Sequence, residues 1–512
     1  MTRLKPFVLC TAVLSGLLFA TLFARAWWLG QPLPVATQRV ASPASTAQIE
    51  RLSQAIQYPT VSRLSGADAS LPRVEPRVFR AFHQWLSTAY PLVHRHLDLE
   101  IVNRFSLLFR WRGTNPTAPP IVLAAHQDVV PYSVTARDQW IHPPYSGAID
   151  EGHVWGRGTL DNKASMLAIL ESVEASLASG HHPDRDIYLA FGHDEEVGGE
   201  HGAQAMATLL KSRGVQPSFV LDEGGFVLEG VVPGVPVPVA LIGVAEKGYL
   251  NVTLSAPGVP GHSSMPPTQS APGRLARAIT RLEAQPMPAQ YGGATQQLFD
   301  ATSPYMSLGY RILFANLWLL EPLLLEQLTA NPPTNAVVRT TQAVTLLRSG
   351  IKDNVLPSVA SANVNVRLLP GVTPDQVIAH MTSVIDDPAI RVQIAPPANL
   401  ATPVADTSGH EFSRLRRAVG SVFGDRQTVV APYLTINATD ARHYLPLTDK
   451  LYRFLPLALK DDDLARIHGP NERISVQAYG QMLAFYTMLL EVFTAHPVPS
   501  KKYKRRYFNH LN

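Results

Sequence analysis

The chain has a single cysteine, Cys10, among its 512 residues. That scarcity excludes an internal disulfide, a cysteine-ligated zinc finger and a cysteine nucleophile in the body of the chain. Charged residues are also few, at 16%, and the formal net charge is only +4. Such a small excess over this length gives no sign of a basic surface that binds nucleic acid. Hydrophobic residues, at 46%, are enough for a sizeable core and exclude a disordered chain.

Several common catalytic motifs are also missing. The segment Gly261-His262-Ser263-Ser264-Met265 lacks the closing glycine of a G-x-S-x-G nucleophile elbow. The sequence has no H-E-x-x-H, no Walker A sequence and no G-x-G-x-x-G after a strand. These absences count against a serine hydrolase, a single-zinc protease of that type and a nucleotide-binding enzyme.

The N-terminus carries an uncharged run from Pro6 to Ala24. Its length is close to the roughly 20 residues that span a bilayer as a helix. Trp27 and Trp28 follow, where interfacial aromatic residues are common. We expect an uncleaved membrane anchor; the alternatives are a signal peptide cleaved at Ala24-Arg25-Ala26 and a buried helix. Both the anchor and the signal peptide place the body of the protein outside the cytoplasm.

The body of the chain alternates short apolar runs with helical patterns. The helix expected from Lys163 to Ser179 has its apolar residues at helical spacing. Strands separated by helices predict an α/β fold with a mainly parallel central sheet and helices on both faces. The apolar runs that read as strands are 121–125, 187–191, 219–221 and 239–244.

Polar clusters follow three of these strands. They are His126-Gln127-Asp128, His193-Asp194-Glu195-Glu196 and Asp222-Glu223. In open α/β sheets, ligands bind outside the carboxyl ends of the strands, so these side chains should share one edge. A fourth cluster, Gly156 to Asn162, immediately precedes the helix.

Each of these residues has an ordinary structural explanation when it is taken alone. A histidine after a strand is usually hydrogen-bonded at the surface, an acidic run is often a solvated turn, and Asp161 could be a helix N-cap. Their recurrence at one sheet edge favours a metal site instead. Imidazoles and carboxylates suit zinc, and a bridging carboxylate can hold two ions. A free carboxylate nearby could then act as a general base.

The order of these motifs resembles the di-zinc aminoacylase, carboxypeptidase S and glutamate carboxypeptidase-like metallopeptidases. The resemblance extends from about residue 48 to residue 495. Beyond the clusters above, its motifs are Pro260 to Ser264, Asn354 to Pro357, Asn437 to Arg442 and Arg466 to Glu472. It implies a hydrolase with two zinc ions per chain.

The resemblance also implies a ligand set. His126 would bind one zinc ion, His468 and Glu196 the other, and Asp161 would bridge the two. The remaining ligand would come from Asp222 or Glu223, and we favour Asp222.

Further roles follow from the same resemblance. Asp128 would hydrogen-bond His126 and fix its tautomer, and Glu195 would be the general base. His262 would stabilise the developing oxyanion. The substrate would be positioned by Asn354, Thr439 and Arg442, with Arg442 facing a carboxylate.

The resemblance implies a two-part architecture, with an α+β lid domain inserted into the catalytic domain and available for dimerisation. Within the lid we expect strands at 250–254 and 363–367 and a helix at 375–386. The expected layout is a membrane anchor or signal segment at 1–30, a linker at 31–47, the catalytic domain at 48–247 and 396–497, the lid at 248–395, and a basic tail at 498–512.

One apolar segment of the lid, Ile312 to Leu328, stands out. It is interpreted either as lid core or a dimer interface, or as a surface for a long acyl chain. Pro322 predicts two helical pieces that meet at a bend.

Together these features predict a membrane-tethered or secreted di-zinc amidohydrolase. The substrate would be an acyl or aminoacyl group joined by an amide to an amino acid with a free carboxylate. The alternatives are a carboxypeptidase that acts on small peptides and a non-catalytic binding protein. We expect a homodimer through the lid and no nucleic-acid partner.

Overall fold

The computed structural model describes residues 4–29, 43–64, 72–424 and 428–494. The linker and tail expected from the sequence lie largely outside these residues. The chain forms two compact units. The first unit contains residues 1–38, 221–409 and 423–462, and the second contains residues 39–220, 410–422 and 463–512. The predicted α/β class, with a mainly parallel central sheet and an inserted α+β module, is confirmed.

The α-helices of the described residues are named here in chain order. They are α1 (Leu4–Trp28), α2 (Thr46–Ile56), α3 (Pro76–Ala89), α4 (Pro91–His96), α5 (Lys163–Ala178), α6 (Ala203–Ser212), α7 (Ala271–Ala284), α8 (Gly293–Thr302), α9 (Leu308–Ala315), α10 (Leu317–Thr329), α11 (Pro332–Val338), α12 (Pro374–Ile385), α13 (His410–Phe423), α14 (Asp461–Leu464) and α15 (Val476–Thr494).

The strands are named in the same way. They are β1 (Ser62–Leu64), β2 (Pro72–Val74), β3 (Asp98–Val102), β4 (Ser106–Trp111), β5 (Ile121–His126), β6 (Ile149–Asp150), β7 (His153–Trp155), β8 (Ile187–Gly192), β9 (Phe219–Asp222), β10 (Val227–Leu228), β11 (Val239–Glu246), β12 (Gly248–Pro257), β13 (Gly261–His262), β14 (Thr341–Ser349), β15 (Val355–Leu356), β16 (Val359–Leu368), β17 (Arg391–Asn399), β18 (Val429–Thr435), β19 (Leu451–Arg453), β20 (Ala458–Leu459) and β21 (Arg473–Ser475).

The second unit is built around the parallel pair β5 and β8, in which Ile121 lies opposite Ile187. Strand β4 runs antiparallel to β8 on its other side, and β3 runs antiparallel to β4. Every residue of β5 and β8 is buried, as expected for central strands without a solvated face. Because the two strands are parallel, both carboxyl ends lie at one edge.

Helix α5 packs against β5 and α15 in the same unit. The sequence predicts one apolar face, but the structure buries this helix on all sides from Lys163 to Val173. Its buried Glu171 is compensated by a bidentate contact from Arg51, with distances of 2.5 and 2.7 Å. The helix is therefore a central core element rather than a half-exposed layer.

The first unit contains a second set of strands and the lid. Strand β11 pairs in parallel with β18, and between them in sequence comes the antiparallel lid sheet in the order β14-β16-β12-β17. Burial alternates along β12 and β16, and the buried face packs against α7 and α12. The lid strands and helix expected from the sequence are therefore present.

The apolar segment of the first unit is split, but not where the sequence predicts. Pro322 lies inside α10, and the 117° bend falls between α9 and α10, at Asn316. The Asn316 side chain donates to the carbonyl of Ile312 at 2.8 Å and thereby ends α9. Pro322 only forgoes one hydrogen bond inside α10, which is a smaller perturbation than a break.

The end of α1 docks on α9 within the first unit. Arg311 donates to the carbonyl of Ala26 at 3.0 Å, and Arg25 donates to the carbonyl of Ala315 at 2.9 Å. Both carbonyls lie at helix C-termini, where intrahelical partners are missing, so each helix caps the other. Asn316 also donates to the carbonyl of Leu22 at 3.1 Å, which makes the two helices antiparallel.

Of the described residues, no single helix has both the length and the apolar composition of a membrane span. Helices α9 and α10 together meet both criteria, but only as a sharply bent pair. The apolar part of α1 that could be assessed runs from Val13 to Trp28.

Candidate functional site: a shared carboxylate between two histidines

The centre of the candidate site in the second unit is Asp161, just before α5. One carboxylate oxygen lies 2.9 Å from Nε2 of His126, and the other lies 3.0 Å from Nε2 of His468. His468 Nε2 also lies 3.2 Å from a Glu196 carboxylate oxygen. Ligand atoms of His126, Asp161 and Glu196 fall within 4.8 Å of one another, which is close enough to hold a metal ion.

The electrostatics of this cluster favour positive charge. Contacts with Asp161 and Glu196 raise the pKa of His468 to about 10. Burial alone would raise the pKa of Asp161, but hydrogen bonds from His126 and His468 hold it well below its usual value. Imidazoles and carboxylates are among the ligands that bind zinc in proteins, and Asp161 presents one oxygen to each histidine. The residues therefore fit a metal site with a bridging carboxylate.

Asp128, which is fully buried, connects the loop of His126 to the loop of Glu195 and Glu196. Its carboxylate accepts the backbone N–H groups of Glu195 and Glu196, each at 3.2 Å, and the hydroxyl of Ser62. His126 Nδ1 lies 2.9 Å from the Asp128 carbonyl and 3.3 Å from its carboxylate. Both contacts favour a proton on Nδ1, so that the lone pair of Nε2 is on the side of the ring that faces Asp161.

The acidic run after β8 divides into two kinds of residue. Asp194 turns into the protein, where it accepts the backbone N–H of His201 at 2.8 Å, and burial raises its pKa to about 6. Burial also raises the pKa of Glu196, and the nearby Asp161 carboxylate adds to the rise. The backbone N–H of Glu195 donates to Asp128, and this contact fixes the backbone position from which the Glu195 side chain extends.

A residue without an assigned role in the sequence analysis holds the opposite side of the site. Glu472 is fully buried, and one of its oxygens accepts the N–H groups of Gly158, Leu160 and Asp161 at 2.9, 2.8 and 3.3 Å. Its other oxygen accepts from Arg157 at 2.5 Å. Burial raises the pKa of Glu472 to about 7 although Arg157 opposes the rise.

Arg157 extends this support to the second histidine. Its other terminal nitrogen donates to the carbonyl of His468 at 2.9 Å. His468 adopts a left-handed backbone conformation, with φ of 61°, which is uncommon for a residue with a side chain. The Glu472–Arg157 pair thus connects the loop of Asp161 to the loop of His468. The only signal in the sequence was that both residues lie within the motifs that carry the family resemblance.

In the first unit, His262 and Asn354 lie together. Strand β13 pairs with β15, and the N–H of Ser263 donates to the Asn354 carbonyl at 3.2 Å. The His262 side chain is exposed, and its Nδ1 accepts the N–H of Ser264 at 3.1 Å. In the neutral ring this contact assigns the proton to Nε2, which could donate to a substrate oxygen.

Thr439 and Arg442 belong to one turn of the first unit. Thr439 is buried, and its backbone N–H and hydroxyl donate to Glu246 at 3.2 and 3.0 Å. Arg453 donates to the same Glu246 oxygen at 2.9 Å. Arg442 is half-buried. Burial lowers the pKa of Arg367, and the positive charge of the nearby Arg442 lowers it further.

The predicted site residues thus fall into two sets. The second unit brings together its predicted metal ligands and the predicted base. The first unit holds Asp222 and Glu223 at and just after the end of β9, so the choice between them stays a prediction. The first set is His126, Asp128, Asp161, Glu195, Glu196 and His468, and the second is Asp222, His262, Asn354, Thr439 and Arg442.

The Glu472–Arg157 pair gives a stability prediction. In Glu472→Gln the buried guanidinium of Arg157 loses its charge partner, which should lower the free energy of unfolding by about 3–5 kcal/mol. Chemical denaturation of metal-free protein at pH 8, where Glu472 is mostly ionised, measures the loss. Glu100→Gln is the control, because Glu100 and Arg213 form an exposed pair expected to contribute about 0–1 kcal/mol. An equal decrease in the free energy of unfolding in the two variants would show that the buried pair contributes no more to stability than the exposed pair.

Comparison with known proteins agrees with this geometry. Residues 122–492 match the sequence profile of peptidase family M20/M25/M40. The chain is 42% identical over 446 residues to "Probable carboxypeptidase S-like 2" of Dictyostelium discoideum, covering 86% of this chain and 84% of that protein. It is 39% identical over 441 residues to the Mus musculus "N-fatty-acyl-amino acid synthase/hydrolase PM20D1", covering 85% and 86%.

Solved structures share the fold. The M20 metallo-carboxypeptidase Sso-CP2 of Sulfolobus solfataricus aligns with a TM-score of 0.60 at 17% identity, covering 87% of this chain and 99% of that one. Human carnosine dipeptidase 1 aligns with a TM-score of 0.57 at 15% identity, covering 89% and 100%. The family resemblance predicted from the sequence is confirmed: the chain belongs to peptidase family M20/M25/M40 and is a metal-dependent amidohydrolase.

Proposed function

We propose that this protein hydrolyses the amide bond of N-acyl amino acids, including fatty-acyl ones, at a site that holds two zinc ions. The observation that carries the proposal is the placement of Asp161 between His126 and His468, with Glu196 beside it. Relatives named for N-fatty-acyl-amino acid hydrolysis and for carboxypeptidase activity support the substrate class. Both kinds of substrate place a free carboxylate next to the amide that is cleaved.

The residues divide the work. One zinc ion would be held by His126, Asp161 and Asp222 (or Glu223), and the other by Asp161, Glu196 and His468. Zinc bound by these residues would lower the pKa of a water molecule and polarise the substrate carbonyl.

The reacting groups act around that site. Glu195 takes a proton from the attacking water at its carboxylate and returns it to the leaving amine. His262 donates from Nε2 to the oxygen that gains negative charge. Arg442 pairs with the substrate carboxylate, and the nearby positive charge of Arg367 adds to this attraction. Asn354 and Thr439 help to orient the substrate.

The metal assignment is tested by Asp161→Asn. Elemental analysis of wild-type protein purified without chelator should give close to two zinc ions per chain. Because one residue serves both ions, the variant should lose both. Asp150→Asn is the matched control, since Asp150 is exposed and contacts only His142 among the ion pairs described. Full zinc content in Asp161→Asn would refute the bridging role.

The base assignment is tested by Glu195→Gln, which keeps the size of the side chain. The rate should fall by about 10²–10⁴-fold while the zinc content stays unchanged, because Glu195 is not a ligand in this proposal. Glu200→Gln, at an exposed position nearby, should retain the wild-type rate. Loss of zinc in Glu195→Gln would mean that Glu195 and Glu196 have exchanged roles.

A substrate series separates acylase from carboxypeptidase activity. N-acyl forms of one amino acid with graded chain lengths are compared with dipeptides that end in the same amino acid. Each buried methylene contributes about 0.8 kcal/mol, so four more should raise kcat/KM by about two orders of magnitude if the chain is desolvated. A flat or falling series, with dipeptides preferred, would make the protein a carboxypeptidase.

The same proposal includes the location. Helix α1 tethers the protein to a membrane, with the catalytic body outside the cytoplasm. The reciprocal caps between α1 and α9 support an uncleaved helix, because cleavage at Ala24-Arg25-Ala26 would remove them. The full-length protein should therefore stay in the pellet on carbonate extraction. Mature protein whose sequence begins near Trp27 would instead establish a cleaved signal peptide and a secreted enzyme. Dimerisation through the lid remains a proposal alongside it.

A further inference from the structure

The most exposed tryptophans of the molecule share one region of the first unit. Of the seven tryptophans, Trp27, Trp28 and Trp318 are 75%, 83% and 62% exposed, and the other four are buried or half-buried. Trp27 and Trp28 end α1, and Trp318 lies in the first turn of α10. Large aromatic side chains are rarely left in water without a partner, but they are frequent at membrane interfaces.

Helix α1 leaves the protein surface toward its N-terminus. From Val13 to Thr21 every residue is exposed, so no protein surface in the described structure covers this stretch on any side. A helix that is apolar all round and not covered by protein has the character of a membrane-inserted segment. Its exposed large apolar side chains are Val13, Leu14, Leu17, Leu18, Phe19 and Phe23.

Helix α10 begins where α1 is docked. Asn316, directly before α10, is hydrogen-bonded to the Leu22 carbonyl of α1. Because α9 runs antiparallel to α1 and α10 turns 117° away from α9, α10 crosses the direction of α1 rather than following it. A helix that starts near the exit of an inserted helix and crosses its direction is placed to lie along the membrane interface, as interfacial helices do.

The two faces of α10 differ in the same sense. Leu324 and Leu328 are buried in the first unit, whereas Leu319 and Leu323 are 44% and 46% exposed together with Trp318. This exposed apolar face belongs to the first two turns, which are the end nearest α1. The first two turns also expose Glu321 and Pro322, and the next turn exposes Glu326 and Gln327, so the exposed large apolar side chains of α10 lie only at the end nearest α1.

We propose that Trp318, Leu319 and Leu323 lie in the interfacial layer of the same lipid bilayer that α1 enters. The inference rests on the proposed membrane tether and extends it, because it adds a second contact that belongs to the lid. Two contacts on crossing helices fix the orientation of the first unit against the membrane, which a single helix cannot do. An acyl chain of a substrate and a second copy of the protein are the other occupants that the test must exclude.

Spin labelling of the full-length chain tests the inference. Cys10 is the only cysteine, so Cys10→Ser gives a background in which one introduced cysteine carries a nitroxide. Labels are placed by Leu319→Cys on α10, Leu17→Cys on α1 and, as a matched control, Leu346→Cys on β14, an exposed leucine of the lid. The protein is reconstituted in vesicles of phosphatidylcholine and phosphatidylglycerol, and collision with oxygen and with a polar nickel complex is measured.

The expected result is a ratio of oxygen to nickel collision that is high at position 17, intermediate at 319 and low at 346. A lipid layer concentrates oxygen and excludes nickel, whereas a protein partner shields a label from both. A low ratio at 319 with a high ratio at 17 would overturn the inference and leave the tether standing. Low ratios at both positions would overturn both. Shielding from both reagents at 319 would assign the face to a second copy, and a ratio that rises only after a long-chain N-acyl amino acid is added would assign it to substrate.

Discussion

Asp161 offers one oxygen to each of two imidazoles, and Glu196 offers another to the second of them. Carboxylates and imidazole nitrogens in this arrangement are held about 3 Å apart only when positive charge lies among them, as protons or as metal ions. Without a metal ion, a proton on His468 supplies the positive charge, and the two carboxylates raise the pKa of this histidine. The same arrangement fits a bound metal ion, because positive charge can lie next to the shared carboxylate on either side.

Two further carboxylates support this cluster through hydrogen bonds to the surrounding loops. Asp128 and Glu472 are fully buried, and each accepts several donors from the loops that carry the cluster. A buried anion is costly to desolvate, so it persists only where its hydrogen bonds are nearly complete. The N–H groups of the loops therefore stabilise the buried carboxylates, and the carboxylates in turn restrict the conformation of the loops. The side chains around Asp161 are therefore held in place before a metal ion binds, which reduces the conformational entropy lost on binding.

The sequence predicted most of this architecture, for identifiable reasons. Fully buried parallel strands appear as continuous apolar runs, so β5 and β8 were located to within a residue, and their parallel pairing placed His126 and the acidic run at one edge. His468 could be placed only through the family resemblance, because no local pattern links it to residues some 300 positions earlier. The roles of Ser62 and Glu472 were missed for the same reason, since Glu472 meets the Asp161 loop across 311 positions. The break at Asn316 was misplaced because one side-chain amide, rather than a backbone propensity, ends α9.

Helices α1 and α5 show why hydrophobic pattern alone does not identify the surroundings of a helix. The sequence of α1 is an uncharged apolar run that predicts a membrane segment, whereas the spacing in α5 predicts a helix with one buried face. In the structure, α5 is covered by strands and helices of the second unit, and its one buried acid has a paired arginine. For α1 only the last two turns, from Leu22 on, meet the protein through hydrogen bonds to α9 and Asn316, and residues 13–21 before them are all exposed. The proposed membrane tether would give these side chains an apolar medium, and because the caps hold α1 against α9, the same medium would meet the first turns of α10.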